Sequence, residues 1–131
     1  ESRAIGADAV LLIVRSLGTK ISEFIALARQ LGLAALTEVH TAAELEIAMA
    51  AGADIIGINN RNLDTFVTDI NTCKELVCLV PHNIVTVAES GIKTRKDIEN
   101  IMPSGISAFL IGEALVTSPD MGKKLRNLRG L

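Results

Sequence analysis

Five apolar runs rich in Ile, Val and Leu punctuate the chain: AVLLIV (9–14), LAALTEV (33–39), DIIGIN (54–59), NIVTVAE (83–89) and SAFLIG (107–112). Each has the length of a strand, and their near-continuous apolar character suits strands covered on both faces. Their starts lie roughly 20 to 30 residues apart, leaving room for one helix between each pair.

The intervening stretches carry helical periodicity. Ile21, Phe24, Ile25, Ala28 and Leu31 fall on one face, with Lys20, Glu23, Arg29 and Gln30 largely outside it, and Gly32 closes that helix. The next begins at TAAE, where Thr41 caps and Glu44 reaches back in a capping box. Leu45, Ala48 and Met49 form its apolar side and Gly52 ends it. A third helix is expected at about 69–79, before Pro81, and a fourth from the cap Thr94 through Ile98 and Ile101 to Pro103. The last opens at Ser118, with Pro119 at its first position. Residues 1–10, ESRAIGADAV, read as the tail of a helix, a stop at Gly6 and a strand.

Strand and helix in near-equal alternation predict a parallel α/β fold. Two layouts compete: a doubly wound open sheet of five strands, and a partial (βα)8 TIM barrel of five parallel βα units. A whole barrel needs about 250 residues, against 131 here. A chain that opens within a helix just ahead of a strand favours the second, with residues 1–131 as part of one barrel domain.

Composition narrows the function. Hydrophobic residues make up 49% of the chain and the net charge is −2, with three Phe as the only aromatic residues. There is neither a basic face nor a stacking platform for nucleic acid; the basic tail GKKLRNLRGL reads as a solvated helix face. No apolar run reaches the 18 or so residues of a membrane span, and charged Glu1 and Arg3 at the start do not resemble a signal peptide. Cys73 and Cys78 read as two buried reduced thiols, which fits a cytoplasmic enzyme. His40 and His82 read as surface loop residues.

The candidate chemistry sits where the strands end. Glu38 with His40, Asn59–Asn60–Arg61, Glu89–Ser90–Gly91 and Gly112–Glu113 all follow apolar runs, and Arg15–Ser16 follows the first. In a parallel fold these ends share one rim, where ligands bind, so the amides and the guanidinium need not be buried. ESGI and IGEAL each place a glycine where a tight turn can aim N–H groups at a phosphate. Arg61 suits a carboxylate, and Glu38 and Glu89 suit proton transfer.

GADAVLLIV, LTEVH, AGADIIGINNRNLDTF, VAESGI and AFLIGEAL together resemble the indole-3-glycerol-phosphate synthase family, in order and in spacing, over essentially all 131 residues. The combination of GINNRNL, ESGI and a final GE is specific; any one alone is not. The resemblance implies a (βα)8 barrel, of which this chain holds the fourth to eighth strands. It implies a carboxy-lyase of tryptophan biosynthesis that closes the ring of 1-(2-carboxyphenylamino)-1-deoxyribulose 5-phosphate with loss of carbon dioxide and water, using no cofactor and no metal.

By the same resemblance Glu38 is a general base or proton relay, Asn59 positions Glu38 and substrate, and Glu89 bonds the sugar hydroxyls. Arg61 faces the anthranilate carboxylate, and Leu12 forms the apolar wall for the aromatic ring. Ser90, Gly91, Gly112 and Glu113 form the phosphate cradle, with Glu113 contributing its backbone N–H and turning its charge away. The family's first three strands, with their Glu and catalytic lysines, have no counterpart here. The expectation is a chain that binds phosphate weakly and turns over little substrate alone, self-associating through open barrel edges. The alternatives are another phosphate-binding barrel, such as a sugar-phosphate isomerase or epimerase, and a non-catalytic half-barrel module.

Overall fold

The computed structural model describes residues 1–131. Five strands form one parallel sheet: β1 (Ala9–Ile13), β2 (Ala34–Val39), β3 (Ile55–Asn59), β4 (Val85–Glu89) and β5 (Ala108–Leu110). They lie side by side in chain order. A doubly wound sheet reverses its order at a switch point, and none occurs here. Consecutive winding is that of a (βα)8 barrel, and the sheet forms five of its units.

The connections are α1 (Val14–Leu17) and α2 (Ile21–Gln30) after β1, α3 (Ala42–Ala50) after β2, and α4 (Asn71–Val77) after β3. The remainder are α5 (Arg95–Ile101) after β4, then α6 (Glu113–Val116) and α7 (Met121–Arg129) after β5. Their ends follow local chemistry. Thr94 accepts from the Asp97 N–H while the Asp97 carboxylate accepts from the Thr94 N–H, closing a capping box on α5. At α3 the Thr41 hydroxyl accepts from the Glu44 N–H, but Glu44 reaches one residue further back, to the N–H of His40 at 2.6 Å. The last helix starts later than predicted. Its cap is Asp120, which accepts from the Lys123 N–H at 2.8 Å, because the Ser118 hydroxyl is spent on the Asp120 carbonyl. The opening residues form hydrogen-bonded turns ending at Gly6, with φ of 88°.

The core lies on the helix side of the sheet. Leu12, Val39, Ile56, Ile58 and Ala88 point there and meet Ile21 and Ile25 of α2, Leu45 and Ala48 of α3, Cys73 and Leu76 of α4, and Ile98 and Ile101 of α5. Each large side chain so buried contributes about 1.5–3 kcal/mol. Alternate residues of the same strands face the opposite, concave side, where Leu11, Val85 and Leu110 remain 48%, 45% and 51% exposed. Strands β1 and β5 each pair on one side only.

Two residue-level expectations change here. Leu12, expected in a substrate pocket, is buried against the helices; Leu11 is the β1 leucine on the concave side. The cause is register: Leu11 pairs with Leu36 and Ile13 with Glu38, so odd positions of β1 share the face of Glu38. Cys73 is buried as expected, but Cys78 is exposed, its thiol donating to the Lys74 carbonyl. Burial pushes the Cys73 thiol up to about 12.

Candidate active site

The ends of the strands open into a cavity of about 1350 Å³ lined by Leu11, Glu38, Asn59, Arg61, Glu89, Ser90, Gly91, Gly112 and Glu113, among others. Every residue proposed from sequence for catalysis, substrate or phosphate therefore meets there, except Leu12. A smaller cavity of about 420 Å³ lies on the helix side among α5, β5, α6 and α7. It is mostly apolar and carries no carboxylate.

The two glutamates are drawn together by a glycine. Glu38 pairs with Gly57 in the β2–β3 register, while Glu89 pairs with Asn59 in the next. A Cβ added to Gly57 would lie 2.0 Å from Glu89 Oε1 and 2.9 Å from its Cδ. The Glu89 side chain thus lies across β3 in the space that Gly57 leaves, and its carboxyl reaches Glu38. Both residues are buried. Burial first, then a hydrogen bond with Glu38 and the charge of Glu38, push the Glu89 carboxyl up to about 8. That direction favours the protonated form of Glu89 at neutral pH.

The polar run after Ile58 divides by role. Asn59 and Asn60 are buried, contrary to the exposed rim expected for the amides, and each is hydrogen-bonded. Asn59 faces the cavity and its Oδ1 accepts from the Arg61 N–H at 3.0 Å. Asn60 is a structural tie. Its Nδ2 donates to the Ser90 carbonyl at 3.1 Å, and its Oδ1 accepts from the Cys73 N–H at 3.0 Å. It thereby locks the end of β3 to that of β4 and to α4.

Arg61 stays at the mouth, where its guanidinium pairs with Glu113 from the start of α6. Beyond it residues 61–68 fold into a small hairpin. Arg61 bridges Thr68, and Asn62 Oδ1 accepts from the N–H groups of Asp64 and Thr65. Arg15 ties this hairpin to the end of β1 through Asp64 at 2.5 Å.

The chain bends sharply after Glu89. Ser90 and Gly91 are both left-handed, at φ 63° and 75°. For a serine that conformation costs about 1 kcal/mol or more, and here it turns the Ser90 carbonyl onto Asn60. A Cβ on Gly91 would come within 2.5 Å of Thr68 Cγ2. Gly112 opens α6 on the adjacent strand, and Lys93 and Lys124 also line the cavity.

Two participants escaped the sequence reading. Gly57 carried the signal of a lone glycine inside a strand, which often marks a close approach by another group. His40 was assigned to the surface but its side chain is only 7% exposed. The period of two that links it to Glu38 was the signal available. His82 is exposed, as expected.

Comparison with known proteins bears on family and fold. The family model described as indole-3-glycerol phosphate synthase matches residues 1–128. Proteins of that name are 52% identical over 116 residues in Thermoanaerobacter sp. (strain X514), covering 88% of this chain and 45% of the relative. In Dehalococcoides mccartyi (strain CBDB1) the identity is 47%, covering 98% and 50%. In Syntrophobacter fumaroxidans it is 50%, covering 99% and 49%. The chain spans about half the length of the curated relatives it matches. Among solved structures, a thiamine phosphate pyrophosphorylase from Pyrococcus furiosus superposes with a TM-score of 0.76 at 23% identity, over 98% of this chain and 61% of that one. FabK from Thermotoga maritima superposes at 0.70 with 18% identity, over 90% and 37%. At such identities these two speak for the fold alone. The sequence relatives speak for more: this chain belongs to the indole-3-glycerol phosphate synthase family.

Proposed function

We propose that residues 1–131 supply the fourth to eighth βα units of an indole-3-glycerol-phosphate synthase, a carboxy-lyase, and with them half of its active site. The observation that carries this reading is the convergence of Glu38, Asn59, Glu89, Arg61 and the two glycine turns on one cavity. The reaction closes a ring on 1-(2-carboxyphenylamino)-1-deoxyribulose 5-phosphate and expels carbon dioxide and water. Departure of a hydroxyl as water needs a proton, and a base must accept one in turn.

The buried pair suits both needs. Glu89 favours its protonated form at neutral pH and can donate that proton in a hydrogen bond to a sugar hydroxyl. Glu38 beside it accepts or relays one, and Asn59 orients the substrate between them. Ser90, Gly91, Gly112 and the Glu113 backbone N–H hold the phosphate. Arg61 meets the anthranilate carboxylate once that anion replaces Glu113 as its partner, and Leu11 takes the place of Leu12 against the aromatic ring.

The lysines that the family places on its first and third strands have no counterpart among these residues, so the isolated chain is expected to show little turnover. Its unpaired β1 and β5 edges and its exposed concave leucines are expected to drive self-association. Sedimentation of the isolated chain as a clean monomer with cooperative unfolding would contradict the second expectation. For the first, indole-glycerol fluorescence is followed with the 131-residue chain and with the full-length enzyme. Glu38→Gln in the latter should slow turnover by about 10²–10⁴-fold. Undiminished turnover in that variant, or indifference of the full-length protein to the anthranilate-bearing substrate, would overturn the reading.

A further inference from the structure

We propose that His40 is a positioning residue for Glu38, its ring clamped by Glu44 so that the opposite nitrogen faces the Glu38 carboxylate. This inference rests on the reading of Glu38 as the proton-transfer group.

Glu38 and His40 are two residues apart at the end of β2 and so emerge on one face. His40 nevertheless does not project into solvent. Its Nδ1 lies 3.3 Å from Glu44 Oε2, and that same oxygen accepts the His40 backbone N–H at 2.6 Å. Glu44 is itself fixed, because its N–H is the one that caps α3 on the Thr41 hydroxyl. The start of α3 therefore sets the orientation of the ring. Its other nitrogen, Nε2, is buried, makes no hydrogen bond and lies 3.4 Å from Glu38 Oε1.

An imidazole with a carboxylate oxygen at each nitrogen, in a side chain 7% exposed, is poorly explained as packing. An apolar residue would fill the space without desolvating a ring. The arrangement has a direct consequence for Glu38. Its carboxyl stands between Glu89 on one side and His40 on the other. The imidazole edge lies against Oε1 without a formed hydrogen bond, so it limits the swing of the carboxyl on that side and leaves the other oxygen toward Glu89 and substrate. This is the logic by which a base is itself oriented by a third group.

The test has two arms. In the full-length enzyme, His40→Leu is expected to lower kcat about tenfold or more with KM unchanged, and His40→Gln, which keeps a polar edge toward Glu38, to recover part of the loss. A kcat within twofold of the parent overturns the proposal, as does a parallel decline of kcat, KM and thermal stability that Gln does not relieve. Glu38→Gln separates the two layers of argument. If it abolishes turnover while His40→Leu does not, the positioning role fails alone; if neither variant affects turnover, the assignment of Glu38 has failed.

The second arm needs no activity and survives a His40→Leu variant that does not fold. Long-range proton–nitrogen spectra of the full-length enzyme compare the His40 ring with that of exposed His82. Distinct His40 signals that become His82-like in Glu44→Ala support the clamp. His40 signals that are unaltered in Glu44→Ala, or that match His82 from the outset, overturn it.

Discussion

The convex and concave faces of this sheet are made from alternate residues of the same five strands, yet they obey different rules. On the convex face Ile56, Ile58, Val39 and Ala88 have no exposed surface and pack against the helices. On the concave face leucines stay half exposed, while Glu38, Asn59 and Glu89 are buried. Stability resides on one side and buried charge on the other. The strand period of two keeps them apart while holding them only one residue from each other. The lesson is that a parallel sheet can carry a costly, desolvated carboxyl pair because the opposite side of every strand supplies the packing energy.

That contrast can be broken most strongly from the convex side. Ile56→Ala removes a fully buried side chain and is expected to cost about 2–5 kcal/mol in denaturant unfolding. Leu11→Ala, at a residue 48% exposed, should cost under about 1 kcal/mol. Equal costs would mean that the concave face is covered in solution.

Gly57→Ala is the corresponding intrusion on the concave side. Its methyl would occupy the place of the Glu89 carboxyl, so Glu89 must leave Glu38. A destabilisation of about 1–3 kcal/mol is expected, along with a fall in the titration point of Glu89 seen in carboxyl carbon spectra. An unmoved Glu89 titration would show that the glycine does not hold the pair together.

The effect of pH sharpens the same comparison more gently. The Glu89 carboxyl is raised to about 8 in the folded chain, against about 4.3 unfolded, so between those values the folded state binds more protons. Stability should therefore decline as pH rises from about 4.5 to about 8. Glu89→Gln should flatten that decline in the thermal midpoint, whereas Ile56→Val should leave its slope intact.

Thiol chemistry gives the smallest signal. Cys78, exposed, should be alkylated in the native chain, and Cys73, buried with its thiol raised to about 12, only on unfolding. Alkylation of both at the same rate would place α4 away from the sheet.

Much of this molecule was legible in its residues. Five apolar runs, the helices between them, the glycine stops and the cap at Thr94 follow from local chemistry, which acts over a few residues and leaves its mark on the string. The polar residues at strand ends were legible for a related reason, since parallel strands place their ends on one rim.

What stayed hidden depended on neighbours distant in sequence. LLIV offers no alternation, so whether Leu11 or Leu12 meets the cavity was settled only when β1 paired with β2 and Ile13 fell beside Glu38. Asn59 and Asn60 look alike as adjacent amides. One lines the cavity and the other ties β3 to the turn after β4, because their side chains leave the chain in opposite directions. The depth of His40 and the crossing of Glu89 over Gly57 belong to the same class. Burial and proton affinity are set by what surrounds a group in three dimensions, and only the folded sheet supplies those surroundings.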